Sequence, residues 1–386
     1  MAIASRAVSA AELLTAYRPD RSFLFASPRG TLLAEGTYFA VPPSARPRGL
    51  ADLPQRVAAV LDVAIAAGHD DPVVVGAIPF DHDVPAALAV PLSVRRAEPV
   101  SAGTAEVVDQ PTFDVHAEPS PQRFAAAVDH AVQRMRAGEF EKVVLARSLR
   151  LTADRPVNVP PLVAALARRD PGGYTFATTL GAGRTLFGAS PELLVSRHGR
   201  LFTANPIAGS APRSADAAED ERRGQALLRS AKDRHEHGVV VDAVATALRP
   251  LASALHVPSE PVLIRTATMW HLSTTVTGEV AGPDVSALAL ATALHPTPAV
   301  CGSPTDAARA AIAQLETIDR GFYTGLVGWG DADGDGEWVV TIRCGVTEGH
   351  ELRLYAGAGI VADSDPEAEL AETSAKFRTM LTGLGM

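Results

Sequence analysis

Lysine is rare in this chain of 386 residues, and its three occurrences are the first candidates for chemistry. Of 35 basic residues, only Lys142, Lys232 and Lys376 are lysine. An arginine does not lose its proton in a protein, whereas a desolvated lysine can act as a base. Lys142 lies in "FEKVVLARSL", where the strand period of two places apolar residues on both faces. Burial on both faces would desolvate the amine, so the sequence predicts a general base at Lys142.

A carboxylate that could act as the matching acid follows in "FGASPELLVS", where Glu192 stands before an apolar strand. Apolar surroundings raise the pKa of a carboxyl group and let it deliver a proton near neutral pH. Further on, "ANPIAGSAPRS" is a turn whose backbone N–H groups, beside Ser210, suit a carboxylate ligand. Two alternatives stay open: Lys142 could reach solvent from a strand end, and Glu192 could be an exposed edge residue.

Carboxylates that could hold a metal lie on two predicted helices. Glu369, Glu372 and Lys376 follow each other at spacings of three and four, which places all three on one helix face. Glu236 lies in "SAKDRHEHGVVVDA", on a helix whose apolar stripe would carry it inward. The histidines on either side of Glu236 point about 100° away from it and cannot share one zinc ion with it. Single oxygen ligands from separate elements favour Mg²⁺, although a solvated charged stripe would have the same spacing.

The composition argues against several classes of protein. The net charge is −9 and no basic cluster stands out, which disfavours nucleic acid as a partner. No apolar run reaches the length of about 18 residues that a membrane span needs. Two cysteines without metal-ligand spacing favour a reduced, cytoplasmic protein. "DADGDG" at 331–336 begins like a calcium loop, but Ile342 stands where the loop needs glutamate, so a hairpin turn is predicted.

The elements that must position these residues indicate an α+β protein, because strands and helices do not alternate regularly. A proline-containing stretch at 118–124 divides the chain into an N-terminal part, 1–117, and a catalytic region, 118–386. The N-terminal part carries no chemical motif and is expected to pack on the same fold. Residues 216–250 are predicted to form one long helix, and His198-Gly199 a hairpin turn.

Eight motifs, in their order along the chain, resemble those of the chorismate-utilising enzymes. This family contains the anthranilate, aminodeoxychorismate, salicylate and isochorismate synthases. The motifs span about residues 118–382 and are "KVVLAR", "ASPELL", "PIAGS", "HEHGVVVDAV", "HPTPAVCGSP", "GFYTGLVGW", "WVVTIRC" and "GAGIVADSDPEAELAETSAK". The resemblance implies two antiparallel β-sheets packed around a deep active site, with flanking helices. It also implies chorismate as the substrate and Mg²⁺ as the cofactor.

Carried over position by position, the resemblance implies a role for each matching residue. Lys142 resembles the base that activates water for attack at ring carbon 2, and Glu192 resembles the acid that protonates the hydroxyl departing from carbon 4. Glu236 and Glu372 resemble the Mg²⁺ ligands, with Glu369 in the same acidic wall. The substrate-binding positions implied in this way are Gly209, Ser210, His271, Ala299, Tyr323, Ile342, Arg343, Gly357 and Lys376.

Marker positions bear on which reaction the resemblance implies. Lys142 stands where ammonia-using members have glutamine, so no glutamine amidotransferase subunit is expected, and Ala208 stands where aminodeoxychorismate synthase has lysine. Ala299 and Ile342 differ from the residues typical of salicylate synthases, whereas Tyr323 matches them. The resemblance therefore implies an isochorismate synthase, an isomerase feeding siderophore or menaquinone biosynthesis. A monomer or weak homodimer is expected. A salicylate synthase and a non-catalytic chorismate-binding protein remain as alternatives.

Overall fold

The computed structural model describes residues 8–44, 49–103 and 109–386; residues 1–7, 45–48 and 104–108 of the predicted N-terminal part lie outside the described residues. The described helices are α1 (Ala10–Ala16), α2 (Leu53–Ala66), α3 (Pro121–Arg136), α4 (Val159–Arg169), α5 (Ala217–Arg229), α6 (Ala231–Leu248), α7 (Ala287–Leu294), α8 (Thr305–Leu315) and α9 (Pro366–Gly383), with a 3-10 turn at Arg249–Leu251. None of these helices has the length and apolar character that crossing a membrane requires.

The described strands pair only in the antiparallel sense. They are β1 (Ser22–Ser27), β2 (Gly30–Glu35), β3 (Phe39–Ala40), β4 (Val73–Ile78), β5 (Ala87–Val90), β6 (Ser93–Ala97), β7 (Phe113–Glu118), β8 (Lys142–Ala153), β9 (Tyr174–Gly181), β10 (Arg184–Ser190), β11 (Leu193–His198), β12 (Leu201–Ala204), β13 (Ile207–Pro212), β14 (Ala252–His256), β15 (Val262–Arg265), β16 (Met269–Ser273), β17 (Val276–Val280), β18 (Gly302–Ser303), β19 (Leu326–Asp331), β20 (Gly336–Val340), β21 (Cys344–Glu348) and β22 (Glu351–Ile360).

Two large sheets and one small sheet make up the β structure of the described residues. The first has the order β18-β8-β22-β21-β10-β9-β1-β2-β6, with β7 pairing on β8, and the second has the order β14-β17-β12-β11-β20-β19-β4-β5-β3. The α+β architecture with two antiparallel sheets is therefore confirmed. The small sheet, β13-β16-β15, is an addition that the sequence did not predict.

The two large sheets pack face to face, with helices on their outer faces. In β1, Phe23 and Phe25 belong to one core cluster with Val75 of the second sheet, whereas Leu24 belongs to another cluster with residues of the helices α1 and α4. Because successive strand residues point to opposite faces, a strand covered on both sides is apolar throughout. The N-terminal part contributes strands to both large sheets. For example, β1 lies in the first sheet and β4 lies in the second.

The prediction of one helix over residues 216–250 is wrong, because the helical conformation is interrupted at Ser230. This residue has extended dihedral angles, φ −66° and ψ 116°, and separates α5 from α6. Its hydroxyl accepts a hydrogen bond from the Asp233 N–H at 3.3 Å and so caps α6. The two predicted turns are confirmed: His198 pairs with Leu201 across a hairpin, and residues 331–336 join β19 to β20.

Candidate active site

A cavity that opens to solvent lies among β8, β13, β22, α6 and α9. It brings together most of the predicted site residues, from elements far apart in sequence. Those that line it are Glu192, Gly209, Ser210, Glu236, His271, Ala299, Tyr323, Ile342, Arg343, Gly357, Glu372 and Lys376. Lys142 and Glu369 are not in its lining, but Lys142 bonds to one lining residue, Glu236.

Lys142 is the first residue of β8 and is buried, with 2 % of its side chain exposed. Its Nζ lies 2.8 Å from Oε1 of Glu236 on α6. Gly359 on the neighbouring strand β22 makes room for this pair, since a Cβ at that position would collide with the Glu236 carboxylate. The burial predicted for Lys142 is confirmed, but its ion pair with Glu236 was not predicted.

Lys376 and Glu372 form a second pair on α9, at 2.6 Å between Nζ and Oε1. Nζ of Lys376 also donates to the carbonyl oxygen of Gly357 at 2.9 Å, and the Ser210 hydroxyl donates to Glu372 at 3.1 Å. Burial alone would raise the pKa of Glu372, but Lys376, Ser210 and Arg343 outweigh it and hold the pKa below its usual range. Glu372 therefore faces the cavity as a carboxylate.

The third lysine pairs with the third predicted carboxylate. Nζ of Lys232 lies 3.4 Å from Oε1 of Glu369, which also accepts a hydrogen bond from Ser364 at 2.7 Å. Burial and the charge of Glu372 raise the pKa of Glu369. In the described part of the chain, no three carboxylate, histidine or cysteine groups converge as a ready-made metal site. Each expected metal carboxylate has a lysine beside it instead.

Glu192 lies between β10 and β11 and is 4 % exposed. Burial raises its pKa to about 8, although Lys142, Lys376 and Arg343 all lower it. A carboxyl group in this environment keeps its proton at neutral pH, and so it can act as an acid. The predicted apolar environment of Glu192 is confirmed, whereas the exposed-edge alternative is not.

Arg343 is buried behind the end of β20, with 7 % of the residue exposed. Its guanidinium lines the cavity, and among the described residues it has no hydrogen-bond partner. Burial lowers its pKa, against the charges of Tyr323, Glu372 and Glu192. Its φ of +50° and that of Thr324, +61°, are unfavourable for residues with side chains, and both residues line the cavity. A guanidinium with free donors at the cavity surface is suited to bind an anionic ligand.

His271 and Tyr323 complete the polar lining near Arg343. Burial, followed by the charges of Arg343 and Lys376, lowers the pKa of His271 well below its usual value, and its Nε2 has no partner in the described residues. The Tyr323 ring stacks on Tyr355 with centroids 5.2 Å apart and planes at 11°. Stacking thus fixes the Tyr323 ring, and Nε2 of His271 is left for a ligand.

Gly209 occupies an irregular point of β13, where the register with β16 shifts between Ala208 and Ser210. Its φ is +77°, and a Cβ there would lie 3.1 Å from that of Asp233 on α6. Only glycine suits this position, which brings the strand close to α6 and exposes backbone to the cavity.

Sequence reasoning missed the buried pair of Arg320 and Glu316, which holds the cavity wall. Arg320 donates to both carboxylate oxygens of Glu316, at 2.9 and 2.5 Å, and to the carbonyl oxygen of Val144 at 2.7 Å. It also donates to Val300 and Thr324, two residues of the lining. The spacing of four between Glu316 and Arg320 was the available signal, but it does not distinguish a buried pair from a surface pair.

The cavity combines a buried carboxyl group of raised pKa, Glu192, with the basic residues Arg343 and Lys376, which suits an enzyme site for a small anionic molecule. The model of the chorismate binding enzyme family matches residues 73–385, and the chain belongs to this family. The isochorismate synthase DhbC of Bacillus subtilis (strain 168) is 50 % identical over 385 residues, which cover 98 % of this chain and 96 % of that protein.

Two solved structures show the same fold. A protein named as the 2,3-dihydroxybenzoate-specific isochorismate synthase DhbC of Bacillus anthracis is 47 % identical, with a TM-score of 0.92 over 97 % of this chain and 99 % of that one. The menaquinone-specific isochorismate synthase MenF of Escherichia coli is 25 % identical, with a TM-score of 0.83 over 98 % of this chain and 92 % of that one. The expectation of a chorismate-utilising enzyme is confirmed.

Proposed function

We propose that this protein is an isochorismate synthase, an isomerase that interconverts chorismate and isochorismate. In this reaction a water oxygen bonds to ring carbon 2, the double bonds shift, and the hydroxyl group leaves carbon 4 as water. The observation that carries the proposal is one cavity lined by Glu192, whose pKa burial raises to about 8, and by Arg343, whose guanidinium has no hydrogen-bond partner in the described part of the chain, with the buried Lys142 bonded to the lining residue Glu236. Family membership and the names of the relatives support it.

Each proposed role follows from the chemistry of the side chain. Lys142 would take the proton of the attacking water, and Glu192 would give its proton to the departing hydroxyl. Lys142 is paired with Glu236 in the structure, and this pair would have to open for Lys142 to act as a base. Arg343, with a free planar fork of donors, would bind the enolpyruvyl carboxylate. Lys376 and the Gly209 N–H would meet the ring carboxylate.

The oxygen donors around the cavity fit Mg²⁺, which prefers one or two carboxylates and shares its remaining positions with water and substrate. Glu236 and Glu372 come from separate helices and both face the cavity. Burial, then the charges of Glu236 and Glu372, raise the pKa of nearby Asp233, which indicates that negative charge accumulates here. Glu236 and Glu372 would hold the ion, with Glu369 behind them, and the ion would supply positive charge for the ring carboxylate.

One assay tests the proposed function. The protein is incubated with chorismate and Mg²⁺, and the products are identified by mass and ultraviolet spectrum, with a parallel sample in EDTA. We expect isochorismate, and no conversion in EDTA. Salicylate with pyruvate would instead support a salicylate synthase, the alternative that is favoured by the presence of Tyr323. Unchanged chorismate would support a non-catalytic chorismate-binding protein.

The names of the relatives divide between siderophore and menaquinone biosynthesis, and the isochorismate made here would feed one of these. We expect a cytoplasmic enzyme that takes its nucleophile from water and needs no amidotransferase subunit, nucleic acid or membrane. Gel filtration is expected to give a monomer or a weak homodimer.

A further inference from the structure

Lys232 is the one lysine without a role in the proposed reaction, yet it pairs with Glu369 beside the proposed metal site. It belongs to the first turn of α6, one helical turn before Glu236. Its Nζ reaches across to Glu369 on α9, at 3.4 Å from Oε1. Lys232 therefore connects the two helices that carry the proposed metal ligands Glu236 and Glu372.

The surroundings of Lys232 favour a positive charge there. Burial alone would lower the pKa of Lys232, but Glu369, Glu236 and Asp233 raise it. Its side chain is 45 % exposed, whereas that of Glu369 is 4 % exposed, so the carboxylate is fixed and the lysine has solvent to move into. A cation in the first turn of a helix opposes the helix dipole, so helix stability does not account for this residue.

We propose that Lys232 is an exchangeable counter-charge for the carboxylates of the proposed metal site, Glu236, Glu369 and Glu372: it pairs with Glu369 until a divalent cation enters and then turns toward solvent. The inference rests on the Mg²⁺ site of the proposed function. It also accounts for lysine at this position in a chain that otherwise uses arginine. An ammonium on a flexible stem releases a carboxylate readily, whereas the planar fork of arginine would hold both oxygens of Glu369.

The test is a calorimetric titration of the chorismate-free protein with MgCl₂. In Lys232→Met, the cation no longer competes with an ammonium, and we expect the Kd for Mg²⁺ to fall by roughly three- to tenfold. In Lys232→Arg we expect the Kd to rise. The Tm of metal-free Lys232→Met should lie below that of the wild type, because the carboxylates then repel each other without a counter-charge, and saturating Mg²⁺ should remove the difference.

Arg234→Met is the matched control, since Arg234 lies on the same turn of α6 but pairs with the exposed Glu260 at 2.6 Å. Its Kd for Mg²⁺ should equal that of the wild type. An unchanged or higher Kd in Lys232→Met would overturn the proposal, and so would an equal gain in Arg234→Met, which would indicate a general effect of net charge. Absence of Mg²⁺ binding by the wild type would instead contradict the metal site of the proposed function.

Discussion

Arg320 and Arg343 are both buried, at 5 % and 7 % exposure, but they differ in how their donors are used. Arg320 bonds to both oxygens of Glu316 and to three groups of the cavity wall. The guanidinium of Arg343 has no hydrogen-bond partner among the described residues. A buried charge is costly unless it is paired, so the chain bears the cost at Arg343 and avoids it at Arg320.

This difference distinguishes an arginine that stabilises the fold from an arginine that is available to bind a ligand. A satisfied guanidinium fixes the backbone around it, here the carbonyl groups of Val144 and Val300. An unsatisfied one is completed by a ligand that supplies two oxygens in a plane. Lys142 stands between these cases, because it is as buried as either arginine but has a single ionic partner, Glu236.

The largest effect is expected at Lys142. If Lys142 is the general base, Lys142→Ala should reduce turnover by a factor of about 10²–10⁴ with the fold intact. Lys142→Arg should fail as well, because arginine keeps its proton. Steady-state rates and circular dichroism spectra of both variants check this. An arginine variant with a near-normal rate would place Lys142 with Arg320, as part of the scaffold.

The arginine comparison itself is tested by Arg320→Met and Arg343→Met. Removing Arg320 leaves Glu316 buried without its cation, so the free energy of unfolding should fall by about 3–5 kcal/mol. Removing Arg343 breaks no internal pair, so stability should be equal or higher, while the KM for chorismate should rise by roughly 30-fold or more. Urea unfolding and initial rates measure the two effects. Equal destabilisation in both variants would contradict the distinction.

Glu192 extends the comparison to a neutral group that has a pKa of about 8 in the folded protein, against 4.5 as its ordinary value. Because the folded state holds the proton more tightly, this group stabilises the fold fully below pH 4.5, and the contribution is lost as the pH rises through 8. The Tm of the wild type should therefore fall more between pH 5 and pH 9 than that of Glu192→Gln. Activity, which needs the protonated acid, should fall above pH 8 in the wild type. Parallel Tm curves for the two proteins would contradict this assignment.

The burial of the site residues could be predicted from the sequence, but the helix break and the ion pairs around the site could not. Burial of Lys142 and Glu192 followed from their immediate neighbours, since alternation along a strand is a local property. The break at Ser230 did not, because serine is compatible with a continuing helix and the cap forms only in the folded chain. The partners of Lys142 and Arg320 are 94 and 4 residues away, and neither separation indicates which carboxylate a buried cation will meet.

The smallest effects are expected beside Glu236, where one of the two neighbouring histidines is buried and the other is exposed. His237 is 2 % exposed, and its Nε2 lies 2.7 Å from the Thr274 hydroxyl oxygen, whereas His235 is exposed. Burial lowers the pKa of His237 to about 4, so it is neutral and acts as a scaffold residue.

His237→Ala should therefore lower the free energy of unfolding by about 1–3 kcal/mol, the cost of leaving a buried hydrogen-bonding group unpaired, with turnover largely kept. His235→Ala should change neither quantity, because its side chain is already in water. Chemical unfolding and turnover of both variants, measured beside Glu236→Gln, decide the matter. A loss of activity in His235→Ala together with an active Glu236→Gln would mean that the opposite face of α6 serves the cavity, and the proposed metal ligands would then be wrong.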